Sequence, residues 1–188
     1  FISPYNDGQI IAGQGTIGLE LARQIPTINA GTEIYVPLGG GGLLAGVASA
    51  FQESPDKPHF IGVQSEASPF FYELFTRGSQ EGVLETESLA DGLAGRVQDG
   101  SITIPMVHQL ADEVRLVSED DIRSAICWCW QEYREKIEGS AAVALAAALK
   151  SPATSSGKVV ILSGGNIQPE VFERICAVGG SFHTWSAQ

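Results

Sequence analysis

The sequence predicts an α/β protein: an open, mostly parallel, twisted sheet with helices on both faces. Three observations carry that expectation. The strand candidates Ile34 to Val36, Phe60 to Gln64 and Val159 to Leu162 are short, largely apolar runs, as expected of strands buried on both faces. They alternate with helical segments, the pattern of a parallel sheet. The loop after the first run is Gly39-Gly40-Gly41-Gly42, followed by Leu43, Leu44, Ala45, Val47, Ala48 and Phe51 at helical spacing. Strand, glycine loop and helix form a phosphate-cradling arrangement. Glycine keeps side chains away from a ligand, and the first N–H groups of the helix point at an anion. The loop lacks the Lys-Ser/Thr pair of a P-loop and the spaced glycines of a dinucleotide fingerprint.

The remaining elements follow in order. Phe1 to Gly8 reads as a strand end and a Pro/Asn/Gly turn. Ile10 to Ile25 reads as a helix that Thr16 can cap and Pro26 ends, with Gly13 and Gly15 marking a close backbone approach. Pro69 to Phe75 is a short helix closed by Arg77-Gly78. Ser79 to Ser101 is irregular. Ile102 to Leu110 is a helix and Val114 to Val117 a strand. Ser118 and Asp121 form a capping box, and Glu119, Asp120 and Asp121 suit a helix start electrostatically. That helix reaches about Glu135, with Ile122, Ile126, Cys129 and Tyr133 on one face and Trp128 and Trp130 flanking it in core or interface packing. Cys127 and Cys129 are expected on different faces. Ala141 to Leu149 is an apolar helix, small enough in its side chains to pack close against a sheet. After Val159 to Leu162 comes Ser163-Gly164-Gly165-Asn166, and Pro169 opens a last helix.

The 188 residues suit one domain, and a hydrophobic content of 44% supports a core. A net charge of −11 repels nucleic acid and anionic membrane surfaces alike. No apolar run approaches the roughly 20 residues of a membrane span. Cys127, Cys129 and Cys176 are an odd set without zinc spacing, and no charged leader opens the chain, which leads to the expectation of a cytoplasmic setting. His59, His108 and His183 show no ligand spacing and are expected to be structural or solvated. Gly39–Gly42 and Ser163–Asn166 both fall at carboxyl ends of strands, where ligands bind in such sheets, so they are expected to share one site.

Five motifs agree in order: Ala12-Gly13-Gln14-Gly15-Thr16, Val36 to Leu43, Ala90-Asp91-Gly92, Glu138-Gly139-Ser140-Ala141 and Leu162-Ser163-Gly164-Gly165-Asn166. Together they resemble the pyridoxal-phosphate enzymes of the fold-type II, tryptophan-synthase-β-like class, and within it the threonine/serine dehydratase and serine racemase group. The resemblance implies pyridoxal 5'-phosphate as cofactor. It implies that Gly39, Gly40, Gly41, Gly42 and Leu43 bind its phosphate, that Ser163 hydrogen-bonds the pyridine nitrogen, that Gly92 lies near ring and substrate, and that Glu138 sits beside the ring. A helix N-cap role for the Glu138 carboxylate is the alternative. The implied activity is loss of water from a hydroxy amino acid such as threonine or serine, giving a 2-oxo acid and ammonia. Alternatives are a catalytically incomplete cofactor-binding fragment and a racemase.

Two departures from the family pattern matter. Members hold the cofactor through a lysine in a Ser-x-Lys-x-Arg-Gly-type motif. Lys57, Lys136, Lys150 and Lys158 stand in no such context. Residues 1–188 are therefore expected to be the C-terminal portion of the large domain, with the smaller domain and the lysine in an N-terminal remainder outside this chain. Racemase-like members bind a divalent cation where this chain has Gln64, Ser68 and Phe70. An amide and a phenyl ring in place of two carboxylates predict no cation there. The other partners implied are a small amino-acid substrate and, with Trp128, Trp130 and Tyr133 as aromatic surface, a second copy in a homodimer.

Overall fold

The computed structural model describes residues 2–177. Four strands, β1 Glu33–Pro37, β2 His59–Ser65, β3 Glu113–Val117 and β4 Lys158–Val160, form one parallel sheet in the order β3-β2-β1-β4. Tyr35 is opposite Ile61 on one side and Val160 on the other. Helices α1 Gly8–Gln24, α2 Gly42–Ser49, α3 Phe70–Arg77 and α4 Thr103–Leu110 pack on one face. Helices α5 Glu119–Tyr133, α6 Gly139–Lys150 and α7 Pro169–Ala177 pack on the other. Ile34, Val36 and Phe60 enter the first core, whereas Tyr35, Ile61 and Val63 enter the second. Both faces are covered, so successive strand residues are buried whichever way they point. The expected fold class holds.

Small residues decide how closely layers meet. A Cβ on Gly18 would lie 2.6 Å from the Ala50 Cβ, and one on Gly46 would lie 2.6 Å from the Gln14 Cβ. These glycines let α1 and α2 touch backbone to backbone. On the other face the alanines of α6 are buried without a gap, from Ala141 to Ala148, bringing that helix close over β1 and β2.

Several local expectations are corrected. Asp7, not Thr16, caps α1, its carboxylate accepting from the N–H groups of Gln9 and Ile10. Thr16 lies inside the helix and donates to the Gly13 carbonyl. Gly15 does approach Gly46, since a Cβ on it would lie 3.3 Å from the Gly46 carbonyl oxygen, but nothing lies within 4 Å of a Cβ on Gly13. Helix α5 stops at Arg134, which takes a left-handed φ of 58°. Tyr133 is 65% exposed and leaves the buried stripe, while Cys127 and Cys129 are both buried. The cause is that α5 is packed by α6 on one flank and α7 on the other, so its apolar face is wider than one stripe. Cys127 meets Cys176 of α7 with sulfurs 2.9 Å apart, and burial, reinforced by that contact, pushes its thiol up to about 12. The run Val159 to Leu162 is not a fully buried strand. β4 is an edge strand, half-buried, and Leu162 is 45% exposed, because an open groove lined by Trp128, Leu145, Leu149 and Val160 borders it.

Other expectations hold. Ser118 and Asp121 form the reciprocal capping box. Gly78 closes α3 at φ 70°. Residues 78–101 contain one 3₁₀ turn, Asp91–Leu93. Trp130 packs edge-on against Phe172. His108 stacks on Phe75 and His59 faces Asp112; His183 lies outside the described residues.

Candidate active site

The carboxyl ends of the parallel strands lie along one edge of the sheet, and four turns gather there. The first leaves β1. Pro37 and Leu38 are the last buried residues before Gly39, and the Leu38 N–H still donates to the Val63 carbonyl. Beyond it the ladder ends. Among the described residues no backbone hydrogen bond takes up the N–H of Gly39, Gly40 or Gly41. Gly41 is the N-cap of α2 with φ 88° and no side chain to cap the helix. A Cβ there would sit 2.8 Å from the Phe71 ring and 3.1 Å from the Val107 Cγ2, so the position is closed to other residues by conformation and by space. The result is a set of unpaired donors at the positive end of a helix dipole, suited to a dianion.

The second turn is the 3₁₀ segment Asp91–Leu93. Leu93 Cα would lie 3.3 Å from a Cβ on Gly39, and a Cβ on Gly92 would lie 2.8 Å from the Ser140 Oγ. This segment therefore bridges the glycine loop and the first turn of α6. The third turn holds Glu138 ahead of α6. Its carboxylate makes no cap bond with its own helix. It accepts instead from the Asn166 N–H at 2.9 Å, and its backbone N–H donates to the Gly164 carbonyl. The N-cap role is thus replaced by a tie between two turns. Gly164 leaves room for that carboxylate, since a Cβ there would lie 2.7 Å from the Glu138 Cδ. The fourth turn carries Ser163, which is exposed. Ser163 and Leu43 line the same cavity of about 560 Å³, together with Gln14, Ile17 and Pro4. The structure thus brings Gly39, Gly40, Gly41, Gly42, Leu43, Gly92, Glu138 and Ser163 to one edge.

Two residues went unread in the sequence. Tyr5 lies across the glycine loop, its Cβ 2.9 Å from where a Cβ of Gly42 would be, and its phenol oxygen accepts from the Gln98 N–H. No spacing rule links residue 5 to residue 42. Ser140 is buried with a hydroxyl that finds no partner among the described residues. Its place in the Glu138-Gly139-Ser140 motif was the available signal.

All four lysines are engaged away from the glycine loop. Lys57 donates to the Leu110 carbonyl, Lys150 pairs with Asp121, Lys158 donates to the Ala148 and Ser151 carbonyls, and Lys136 lies 4.8 Å over the Phe172 ring. At the place expected to lack a cation, Gln64 is buried and its amide oxygen accepts from the Tyr72 N–H. Ser68 donates to Glu85, and Phe70 is buried in the core. Among the described residues no three His, Cys, Asp or Glu side chains could hold a metal together.

Known proteins place this geometry. The chain is 42% identical to the L-threonine ammonia-lyase of Geobacter sulfurreducens over 169 residues, 89% of this chain and 41% of that protein. It is 37% identical to the L-threonine ammonia-lyase of Thermotoga maritima, over 95% of this chain and 44% of that protein. Among solved structures, the processed form of threonine deaminase isoform 2 from Solanum lycopersicum superposes with a TM-score of 0.82 at 33% identity, covering 96% of this chain and 52% of that one. Maize serine racemase gives 0.79 at 32%, covering 92% and 54%. The chain spans about half the length of the relatives it matches. The model of the family described as pyridoxal-phosphate dependent enzyme matches residues 1–164. With most of its length inside that match, and its glycine-rich turns gathered at one sheet edge, this chain belongs to the pyridoxal-phosphate dependent enzyme family.

Proposed function

We propose that this chain supplies the phosphate- and ring-binding part of an ammonia-lyase that removes water from a hydroxy amino acid such as threonine or serine, giving a 2-oxo acid and ammonia. The observation that carries the reading is the set of N–H groups at Gly39 to Gly41, unpaired among the described residues, at the start of α2, beside turns bearing Gly92, Glu138 and Ser163. The residues fit pyridoxal 5'-phosphate. The glycine loop and Leu43 would hold the phosphate through backbone donors. The Ser163 hydroxyl would meet the ring nitrogen. A neutral hydroxyl there leaves that nitrogen largely unprotonated and moderates electron withdrawal. Glu138 keeps the Ser163–Asn166 turn in place through the Asn166 N–H. When bound, the cofactor supplies the electron sink for loss of the Cα proton and departure of the β-hydroxyl.

No lysine of this chain faces the glycine loop, and the relatives are about twice as long. This supports a second proposal: the lysine and smaller domain lie in an N-terminal remainder, and residues 1–188 alone bind cofactor without turnover. A cytoplasmic homodimer is proposed for the full protein; the exposed Tyr133 beside Trp128 supports an interface. The test is to titrate pyridoxal 5'-phosphate into the full protein and follow 2-oxo acid and ammonia release from L-threonine and L-serine. Turnover with cofactor-dependent absorbance is expected. Absence of cofactor binding removes the reading, and exchange of the Cα configuration without ammonia release replaces it with racemisation.

A further inference from the structure

The carboxylate of Glu119 ties together three segments distant in sequence. Its Oε1 accepts from the Ser65 hydroxyl and the Ser88 hydroxyl, each at 2.6 Å, and its Oε2 accepts from the Leu89 N–H at 2.7 Å. The two serines are themselves fixed. Ser65 Oγ accepts from the Ala67 N–H and Ser88 Oγ from the Ala90 N–H, both at 3.0 Å. One side chain in the first turn of α5 therefore holds the end of β2 and residues 88–90. Those residues lead directly into Asp91–Leu93. Leu89 and Ala90 also abut Gly139, where an added Cβ would stand 3.0 Å from the Ala90 N. The position of residues 88–90 thus sets where Gly92 stands relative to Ser140 and where Glu138 enters α6. As the first residue of α5, Glu119 would satisfy the helix dipole from solvent. It is turned instead onto donors from two other segments.

We infer that Glu119 is a positioning residue for the reaction, holding the Ser88–Gly92 segment against the first turn of α6 through Ser88 and Leu89. The inference rests on the proposed pyridoxal-phosphate function. Two charge-assisted hydrogen bonds, from the Ser88 hydroxyl and the Leu89 N–H, fix the residues that lead into the 3₁₀ turn, and the third anchors the same carboxylate to Ser65 at the end of β2. Glu119→Gln removes the negative charge that strengthens all three bonds and leaves one acceptor oxygen where two stood, so the two serine contacts persist only as neutral bonds of reversed direction. Reacting groups displaced by about 1 Å lose rate steeply, so a fall of about tenfold or more in kcat/KM is expected.

The experiment is a double-mutant cycle on the full protein with Glu119→Gln, Ser88→Ala and both changes. It measures kcat/KM for L-threonine well below the melting temperature, the visible circular dichroism of bound pyridoxal 5'-phosphate, and the affinity for inorganic phosphate. Expected are a loss in each single variant, a double variant no worse than the poorer single, an altered dichroism band and unchanged phosphate affinity. Ser88→Thr, which keeps the hydroxyl, escapes the loss. If Glu119→Gln fails to fold, Ser88→Ala with the same readouts decides. A lowered melting temperature with unchanged kcat/KM and dichroism overturns the inference and leaves Glu119 a structural clamp. Losses that simply add also overturn it. Wild-type protein that binds no pyridoxal 5'-phosphate overturns the underlying function as well.

Discussion

The two edges of the sheet are built on opposite terms. At the amino end the strands begin with Glu33, His59, Glu113 and Lys158, and the polar groups find partners. Arg115 takes both oxygens of Glu113, donates to the Tyr35 phenol and reaches Ser151 at the end of α6. Tyr35 in turn donates to Glu33. Lys158 donates to the Ala148 carbonyl in the last turn of α6 and to the Ser151 carbonyl at its C-cap, where the dipole favours a cation. At the carboxyl end the strands run out into glycines and serines. There α2 begins with an uncapped glycine, α6 begins with a carboxylate that serves another turn, and the buried Ser140 hydroxyl has no partner among the described residues. Unmet hydrogen-bonding capacity is costly when buried. One edge contributes stability, and the other leaves hydrogen-bonding capacity open for the cofactor proposed to bind there.

The largest expected effect breaks the ligand edge. Gly41→Asp should abolish pyridoxal 5'-phosphate binding by equilibrium titration, because it sets a carboxylate beside a dianion and forces a side chain onto φ 88° against Phe71. The left-handed strain alone costs about 1–2 kcal/mol. Gly78→Ala is the control: it is also left-handed, at φ 70°, but meets open space, so only the strain should appear in a melting experiment.

Next comes Ser163→Ala. It should lower kcat far more than stability, the melting free energy changing by less than about 1 kcal/mol. A normal kcat with a lowered melting temperature would make Ser163 a turn residue. The mirror-image change at the opposite edge is Arg115→Met. It should destabilise by about 1–2 kcal/mol, discounted because Glu113 is partly solvated, and leave kcat/KM unchanged. A kinetic effect from Arg115→Met would end the division of labour between the edges.

The smallest effect concerns acid. Burial pushes the Asp121 carboxyl up, but Lys150 at 2.6 Å and the bonds from Ser118 outweigh it and hold the group below its usual range. Its folded value is depressed. Its contribution to stability is therefore present above the unfolded value of about 3.9 and is lost as pH falls through the folded one. Asp121→Asn should lower the melting free energy by about 1 kcal/mol at pH 7 and should flatten the acid limb of the stability curve. An acid limb of unchanged slope would remove the pair from that role.

Much of this was legible in the chain itself. Buried strands read as apolar runs because both faces of the sheet are covered, and the Ser118–Asp121 box and the Pro169 helix start read correctly because capping depends on neighbours a few residues away. The glycine loop at Gly39–Gly42 announced itself because four glycines in succession need a reason. Helix α1 was misjudged at Thr16 because a threonine inside the run resembles a cap, whereas Asp7 starts the helix earlier. Gly15 was read correctly as a close approach and faces Gly46, but Gly18, which faces Val47 and Ala50, went unread. Sequence fixes neither which helix lies across α1 nor that β4 ends at an open groove, since both depend on what packs there. Tyr5 over Gly42, Glu138 on Asn166 and Glu119 on Ser88 are likewise decisions of the tertiary structure alone. Local rules reach about one turn of helix, whereas these pairs are 28 to 37 residues apart. Composition and spacing determined the elements and the ligand edge, and packing decided which side chains hold that edge in register.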